Sequence, residues 1–433
     1  MSFLDEARRT GWDDYRELIN PIVAQRTELT GEPARVVATD QGKLVDVAGA
    51  RFEDFHGTQS FGHRHPAIAT AVRAFLETEA PNWYPARINP YAGLLARRLC
   101  ERTGYSNVFF AGSGTEGVEA TLKLARAATR RPRILSLERA YHGCTFGSCG
   151  LMSPGPFREP FGPHLPGLAT LPFGDVDALA RALGEGDVAA IVVEPLQLEG
   201  GVRSLPVEYI EALCALTERH GTLLVADEIQ TGLGRTGRFL RSEAWPRRPD
   251  CVVVGKHFGG GLLPLSAMLT RRALFERAYG SDYESAEAHN VTFGGSALVC
   301  VAGLATLELL TDSLISSIGR RGDALRSELR EAIGDHPLVT EVRGEGFIVG
   351  IALAPTNHPW LSFAHFGLEA LRDRPSIGPL LCKRLYRRGF FCFVCGHDWT
   401  VLRVLPRFDV DDATLSAFVL AAREELEWIQ SLE

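Results

Sequence analysis

Lysine is scarce in this chain: four lysines stand beside forty-two arginines in 433 residues. The bias reads as coding composition, and it singles out each lysine that remains. Arginine cannot replace an amine that must lose its charge and attack a carbonyl. Long apolar runs are missing too, since no stretch approaches the roughly 18 to 20 residues of a membrane span. A cationic excess is absent: the formal net charge is −7 and the pI near 6.0. That balance leaves no footprint for nucleic acid or an anionic membrane, and neither is expected as a partner. Met1 to Glu6 carries neither the basic start nor the apolar stretch of a signal peptide. The nine cysteines are scattered and odd in number, which points to reduced thiols and a cytoplasmic location. The Cys392-x-x-Cys395 pair has no second pair and sits in an apolar run, so it packs a core. His63 and His65 have no carboxylate or cysteine at ligand spacing, and no metal is expected.

What is present is ordinary for a soluble globular enzyme: 45% hydrophobic and 23% charged residues. The length supports a large domain with a smaller partner. Residues 2–29 read as an amphipathic helix followed by a segment broken at Pro21. Short strands flank the turn Asp40-Gln41-Gly42-Lys43, and Gly62-His63-Arg64-His65-Pro66 opens a helix through Phe75, where Pro66 suits the first turn. The aromatic, polar segment 82–87 is loop-like and places Tyr84 at a pocket wall.

From about residue 106 to 261 the pattern becomes regular. Strands are expected at 107–111, 133–137, 189–193, 222–226 and 251–255. Helices at 117–128 and 207–220 lie between them, the second closed by Gly221. Strands alternating with helices imply a doubly wound, mostly parallel sheet, and ligands in such sheets bind beyond the carboxyl ends of the strands.

The residues after those strand ends are polar or glycine-rich. After the first comes Gly112-Ser113-Gly114-Thr115-Glu116-Gly117, with Glu138 a further 21 residues on. This pattern suits a dinucleotide fingerprint, a monophosphate held at a helix N-terminus, or a structural turn. Tyr141-His142-Gly143 follows the second strand, where an aromatic ring serves either packing or stacking. Glu194-Pro195-Leu196-Gln197 follows the third. The fourth ends in Asp227, an acid costly to bury without a partner, and no phosphate loop of the Gly-x-x-x-x-Gly-Lys type precedes it. The last, a run of three valines, leads through Gly255 into Lys256, 29 residues past Asp227.

Together these loops hold the parts that pyridoxal phosphate requires. Lys256 is the candidate Schiff-base amine, and Asp227 the acid that keeps a ring nitrogen protonated. Ser113, Gly114 and Thr115 offer backbone donors for a phosphate, and Tyr141 an aromatic face. The ordered set resembles the class III (ornithine and ω-amino-acid) aminotransferases of PLP fold type I. The likeness runs from Gly62-His63-Arg64-His65-Pro66 through Phe109–Glu116, Lys123-Leu124-Ala125-Arg126, Tyr141-His142-Gly143 and Glu194–Gln197. It continues in Asp227-Glu228-Ile229-Gln230, Gly255-Lys256, Thr292-Phe293-Gly294-Gly295 and Leu402–Pro406.

The resemblance implies an α/β chain with a large doubly wound domain (61–320) and a smaller α+β domain (321–433) to which 1–60 contributes. It implies catalytic roles for Lys256, Asp227 and Tyr141, with His142, Glu194 and Gln230 beside the cofactor. Gln230 would bond the ring hydroxyl. Thr292 would reach the phosphate of a neighbouring subunit, making the active unit a homodimer with shared sites. Arg403 would take a substrate carboxylate bidentately, with Glu199 as its switch partner and Tyr84 nearby. The activity implied is ping-pong amino transfer from an amine or amino acid to 2-oxoglutarate or pyruvate. An aminomutase or racemase of the same fold, or a non-catalytic cofactor-binding protein, is the alternative.

Several positions depart from the family pattern. Members acting on acetylornithine, ornithine or GABA carry arginine directly after the aromatic-x-Gly, where this chain has Cys144. Leu198 replaces a glycine beside Glu199. Arg407 follows Pro406 and places a second cation near Arg403. Residues 356–380 form a longer aromatic, proline-rich insertion. These changes point to a specialised donor, a diamine or a biosynthetic intermediate, with glutamate or alanine as partner.

Overall fold

The valine- and isoleucine-rich runs pair into one seven-stranded sheet. Its order across the sheet is Asn107–Ala111, Ser266–Thr270, Cys251–Val254, Leu223–Asp227, Val188–Val193, Arg133–Leu137 and Leu168–Leu171. Ser266–Thr270 runs antiparallel to both neighbours, and the other pairings are parallel. The central strands Val188–Val193 and Leu223–Asp227 are buried along their whole length. Burial on both faces is why they read as continuous apolar runs and not as alternating ones.

The computed structural model describes residues 2–24, 35–57, 59–83, 87–356, 361–365 and 368–432. The chain folds as two compact units, one of residues 65–320 and one of residues 1–64 with 321–433. In the first, the helix Gly114–Thr129 lays Val118, Leu122 and Ala125 on a core that includes Val192, Val225 and Met268. Burying a valine, leucine or methionine side chain of this kind contributes roughly 1.5–3 kcal/mol. The second unit carries two four-stranded sheets. One joins Val36–Asp40, Lys43–Asp46, Arg51–Asp54 and Phe390–Phe391; the other joins Val339–Glu345, Ile348–Leu353, Val401–Val404 and Phe393–Val394. Phe55, Phe390 and Phe418 meet at centroid distances of 5.3 to 5.5 Å in its core.

The large helix begins at Gly114, three residues before the expected start, because the Ser113 side chain accepts the Glu116 amide and caps it. Two strands of the seven-stranded sheet, Leu168–Leu171 and Ser266–Thr270, were not expected. The first helix ends at Asp14 in a π-helical turn, Tyr15–Ile19. The rest of the expected 2–29 segment falls partly outside the described residues, as do 357–360, 366 and 367 of the insertion. All nine cysteines are free, and Cys392 and Cys395 are buried. Among the described residues no single helix is long and apolar enough to cross a membrane.

Candidate active site

The parallel strands point their carboxyl ends to one edge of the sheet, and the loops leaving them enclose a cavity of about 360 Å³. That volume lies within the range of small-molecule sites. Ser113, Gly114, Thr115, Tyr141, His142, Glu194, Asp227, Gln230 and Lys256 all line it.

Lys256 follows the buried strand Cys251–Val254 after a single extended glycine, Gly255. Its own backbone is left-handed, with φ 52°, a conformation that costs a non-glycine residue on the order of 1–3 kcal/mol and collects at functional positions. The turn swings the lysine out of the strand direction, and the side chain is exposed to the cavity.

Asp227 is the last residue of its strand and is 4% exposed. Its Oδ2 lies 2.7 Å from Nδ1 of the buried His142, and its Oδ1 accepts the Ile229 amide at 3.1 Å. With the carboxylate ionised, His142 Nδ1 carries the proton of that bond. His142 Nε2 is buried and has no partner.

The neighbouring Glu228 is fully buried and differently used. Its carboxylate takes the Ser242 amide at 2.7 Å, the Arg241 amide at 2.9 Å and the Thr231 hydroxyl at 2.7 Å. It ties down the following loop. Burial raises its carboxyl above the ordinary range.

Glu194 bridges two loops. Its Oε1 accepts the Tyr141 amide at 2.7 Å, while Oε2 is buried with no partner. Burial, and after it the charges of Asp227 and Glu199, push this carboxyl well above the ordinary range. Gly143 sits with φ +117°, and a Cβ there would lie 2.4 Å from the Thr115 hydroxyl oxygen. That hydroxyl bonds Thr145 and Ser148 at 2.7 and 3.0 Å, locking the Tyr141 loop to the start of the large helix. The Tyr141 hydroxyl lies 3.2 Å from the Cys144 thiol.

Four candidates lie elsewhere or outside view. Thr292 is exposed in a turn, and Glu199 is half-buried just past Leu196–Gln197; neither lines this cavity. Tyr84 lies outside the described residues. Arg403 belongs to the unit of 1–64 and 321–433. There it is 7% exposed on the strand Val401–Val404, with Nη2 3.0 Å from His56 Nε2. Arg407, the second cation, donates to Asp409 at 2.7 Å and Glu53 at 3.5 Å, so two carboxylates engage it.

Sequence reasoning missed Ile229, Pro264 and Leu265 in the cavity wall. For Ile229 a signal existed: an apolar residue stands between Glu228 and Gln230 where the chain turns at the strand end. A Cβ on Gly114 would come 2.7 Å from Ile229 Cδ1, so that glycine lets the helix start close on the isoleucine.

The comparisons with known proteins agree on the class. The family model for class-III aminotransferases matches residues 28–423. A putrescine aminotransferase from Pectobacterium atrosepticum is 36% identical over 358 residues, covering 78% of this chain and 75% of that protein. The aminotransferase PigE from a Serratia species is 30% identical over 96% of this chain; this chain spans 53% of that longer protein, about half its length. Among solved structures, an ornithine aminotransferase from Toxoplasma gondii superposes with a TM-score of 0.82 at 26% identity, over 92% of this chain and 91% of that one. An amine transaminase from an uncultivated Pseudomonas species, solved with pyridoxal phosphate bound, does so with 0.80 at 25%, over 91% and 94%.

Proposed function

We propose, from the premise that this chain belongs to the class-III aminotransferases and shares their pyridoxal-phosphate fold type I, that it moves an amino group from a terminal-amine donor to an oxo acid. The cofactor of the family is pyridoxal 5'-phosphate, and the donor set here suits it. Glu194 Oε2 and His142 Nε2 are buried polar atoms with no protein partner. Gly114 leaves no room for a side chain where the helix start meets Ile229. One amine, Lys256, and one partnered acid, Asp227, face the same cavity.

When bound, the cofactor supplies a carbonyl for the amine and a ring that spreads the charge left on the donor carbon. Lys256 provides the amine that anchors it and moves a proton to and from that carbon. Asp227, oriented by His142 and the Ile229 amide, holds a proton on the ring nitrogen. The amides of Ser113, Gly114 and Thr115, at the start of a 16-residue helix, suit a phosphate. Tyr141 offers the ring face, and Gln230 a hydrogen bond to the ring hydroxyl. We read residues 65–320 as the cofactor-binding domain.

Arg403 is assigned to the acceptor's carboxylate, and Arg407 to structure because Glu53 and Asp409 engage it. We assign Glu199 to the substrate end, a reading supported by its position just past Leu196–Gln197 and its charge acting on Glu194. Cys144 on the cavity wall offers no bidentate carboxylate contact, and among the described residues lining the cavity none is arginine. A donor whose far end is an amine fits that lining, as does the likeness to a putrescine aminotransferase. A homodimer completed by Thr292 is supported by the exposed apolar residues near it: Phe293 is 61% exposed and Ile88 98%. Asn89 ties the second segment to Gly295 at 2.9 Å. The nine free thiols suit a reducing, cytoplasmic setting.

The support that carries this reading is the convergence of Lys256, the Asp227–His142 pair and the Ser113 helix start on one cavity. Its test is a panel of diamines, ω-amino acids and α-amino acids given to the holoenzyme without acceptor, following loss of the aldehyde form of the cofactor. Diamines should convert it, with turnover then requiring added 2-oxoglutarate or pyruvate. Conversion by α-amino acids alone would overturn the donor class, and turnover without an oxo acid would favour a mutase.

A further inference from the structure

Arg403 carries an unusual neighbour. Its Nη2 lies 3.0 Å from His56 Nε2, and arginine has donors but no acceptor. The bond therefore requires a lone pair on Nε2, which makes the His56 ring neutral with its proton on Nδ1. Two aromatic contacts hold the ring, and a backbone bond holds the residue. His56 stacks on Phe391 at 5.5 Å and meets Phe393 edge-on at 5.6 Å. The Arg403 guanidinium lies over that same Phe393 ring at 5.6 Å. The His56 amide donates to Asp54 Oδ1 at 2.9 Å, and the other oxygen of that carboxylate takes His63 at 2.8 Å.

We propose that His56 is a positioning residue for Arg403: its neutral ring pins the guanidinium for the acceptor's carboxylate, and protonation of the ring releases it. The inference rests on the reading of Arg403 as the carboxylate-binding group. Histidine is the side chain whose charge changes between about pH 5 and 8. On acidification the imidazolium has no lone pair to offer and sets a second cation 3.0 Å from the first. Among the described residues, the charged and titratable groups near His56 include Asp54, His63 behind it, and Arg403; Phe391 and Phe393 are uncharged. Asp54 favours the imidazolium and Arg403 opposes it, so the ring is held between two fields of opposite sign.

Glutarate, which has both carboxylates of 2-oxoglutarate and no reactive carbonyl, is the probe. Its affinity for the holoenzyme is measured by calorimetry at pH 6.0 and 8.5 for wild type, His56→Gln, His56→Leu and Arg403→Ala. Glutamine accepts the same hydrogen bond and does not titrate, so it also records every other pH effect, the probe's own included. Wild type should lose about fivefold more affinity than His56→Gln on going to pH 6.0, the size of one hydrogen bond's net contribution. His56→Leu should bind about fivefold more weakly than wild type at pH 8.5, with the KM for 2-oxoglutarate rising and kcat holding. Equal pH responses in wild type and His56→Gln, or full affinity in His56→Leu, overturn the positioning role. If Arg403→Ala binds glutarate as wild type does, the assignment of Arg403 itself falls, and the role of His56 with it.

Discussion

Replacing Glu194 by glutamine should stabilise the cofactor-stripped protein, and by more as the pH rises. Glu194 directly follows the fully buried strand Val188–Val193. One of its oxygens accepts the Tyr141 amide and the other has no partner. Burial first, then Asp227 and Glu199, hold its carboxyl well above the ordinary range, while the Tyr141 amide and Arg203 pull the other way. In the unfolded chain the same group ionises near pH 4.3. Between those two values the folded protein binds one more proton than the unfolded chain does. The stability this group contributes is thus fully present below about pH 4.3 and is lost as pH rises through the folded pKa, at about 1.4 kcal/mol per unit.

Glutamine keeps an acceptor for the Tyr141 amide, adds two N–H donors near the Asp227 charge, and has no proton to lose. Urea unfolding of wild type and Glu194→Gln at half-unit pH steps isolates the effect, because every other titration cancels in the difference. The variant's advantage should open above about pH 5 and grow by about 1.4 kcal/mol per unit until the folded carboxyl ionises. A difference that stays flat refutes a neutral Glu194. One that shrinks as pH rises means Glu194 is a stabilising anion, which would require a cation or donor at Oε2.

Three further outcomes can be checked. Lys256→Arg keeps the charge and removes the transferable amine, so amino transfer from a diamine should fall by at least about 10³-fold; activity within tenfold of wild type removes Lys256 from the mechanism. Gly143→Ala forces a side chain into φ +117° with its Cβ 2.4 Å from the Thr115 hydroxyl. It should cost about 2–5 kcal/mol in denaturant titration, and a loss under about 1 kcal/mol contradicts the packing. His257 is 2% exposed, and burial, aided by Arg235, lowers its pKa to about 3. It folds neutral, so its contribution is present above about pH 6.5 and lost as pH falls toward the folded value. At pH 5.0 wild type should have lost about 2 kcal/mol relative to His257→Gln, the opposite pH trend to Glu194, and parallel pH curves for the two proteins speak against a neutral buried ring.

Much of the large sheet was legible because its signals are local. The run Arg133–Leu137 and the helix Val207–His220 match their expected bounds, and Gly221 caps the helix with φ +61°. Ser266–Thr270 was not legible. It has one β-branched residue, follows a glycine-rich loop, and earns its place by pairing with Asn107–Ala111, more than 150 positions earlier. Leu168–Leu171, an edge strand, is likewise defined by its neighbour Arg133–Leu137. Such pairings are decided by tertiary context, which local propensity does not carry.

The candidate site divides along the same line. Residues directly after strand ends were readable from order alone, and the sheet brings them to one cavity. Partners were not readable. Asp227 and Glu228 are adjacent buried acids, yet the first meets a histidine side chain and one amide and the second three donors from its own loop. Arg403 and Arg407 are four positions apart, one against His56 and the other against Glu53 and Asp409. In each pair the neighbours that the fold supplies differ, although the class of side chain and the stretch of sequence do not. Asp227 has its orientation set by a ring and a single amide at the cavity wall, and that geometry is why we propose it as the acid that would hold a proton on a ligand.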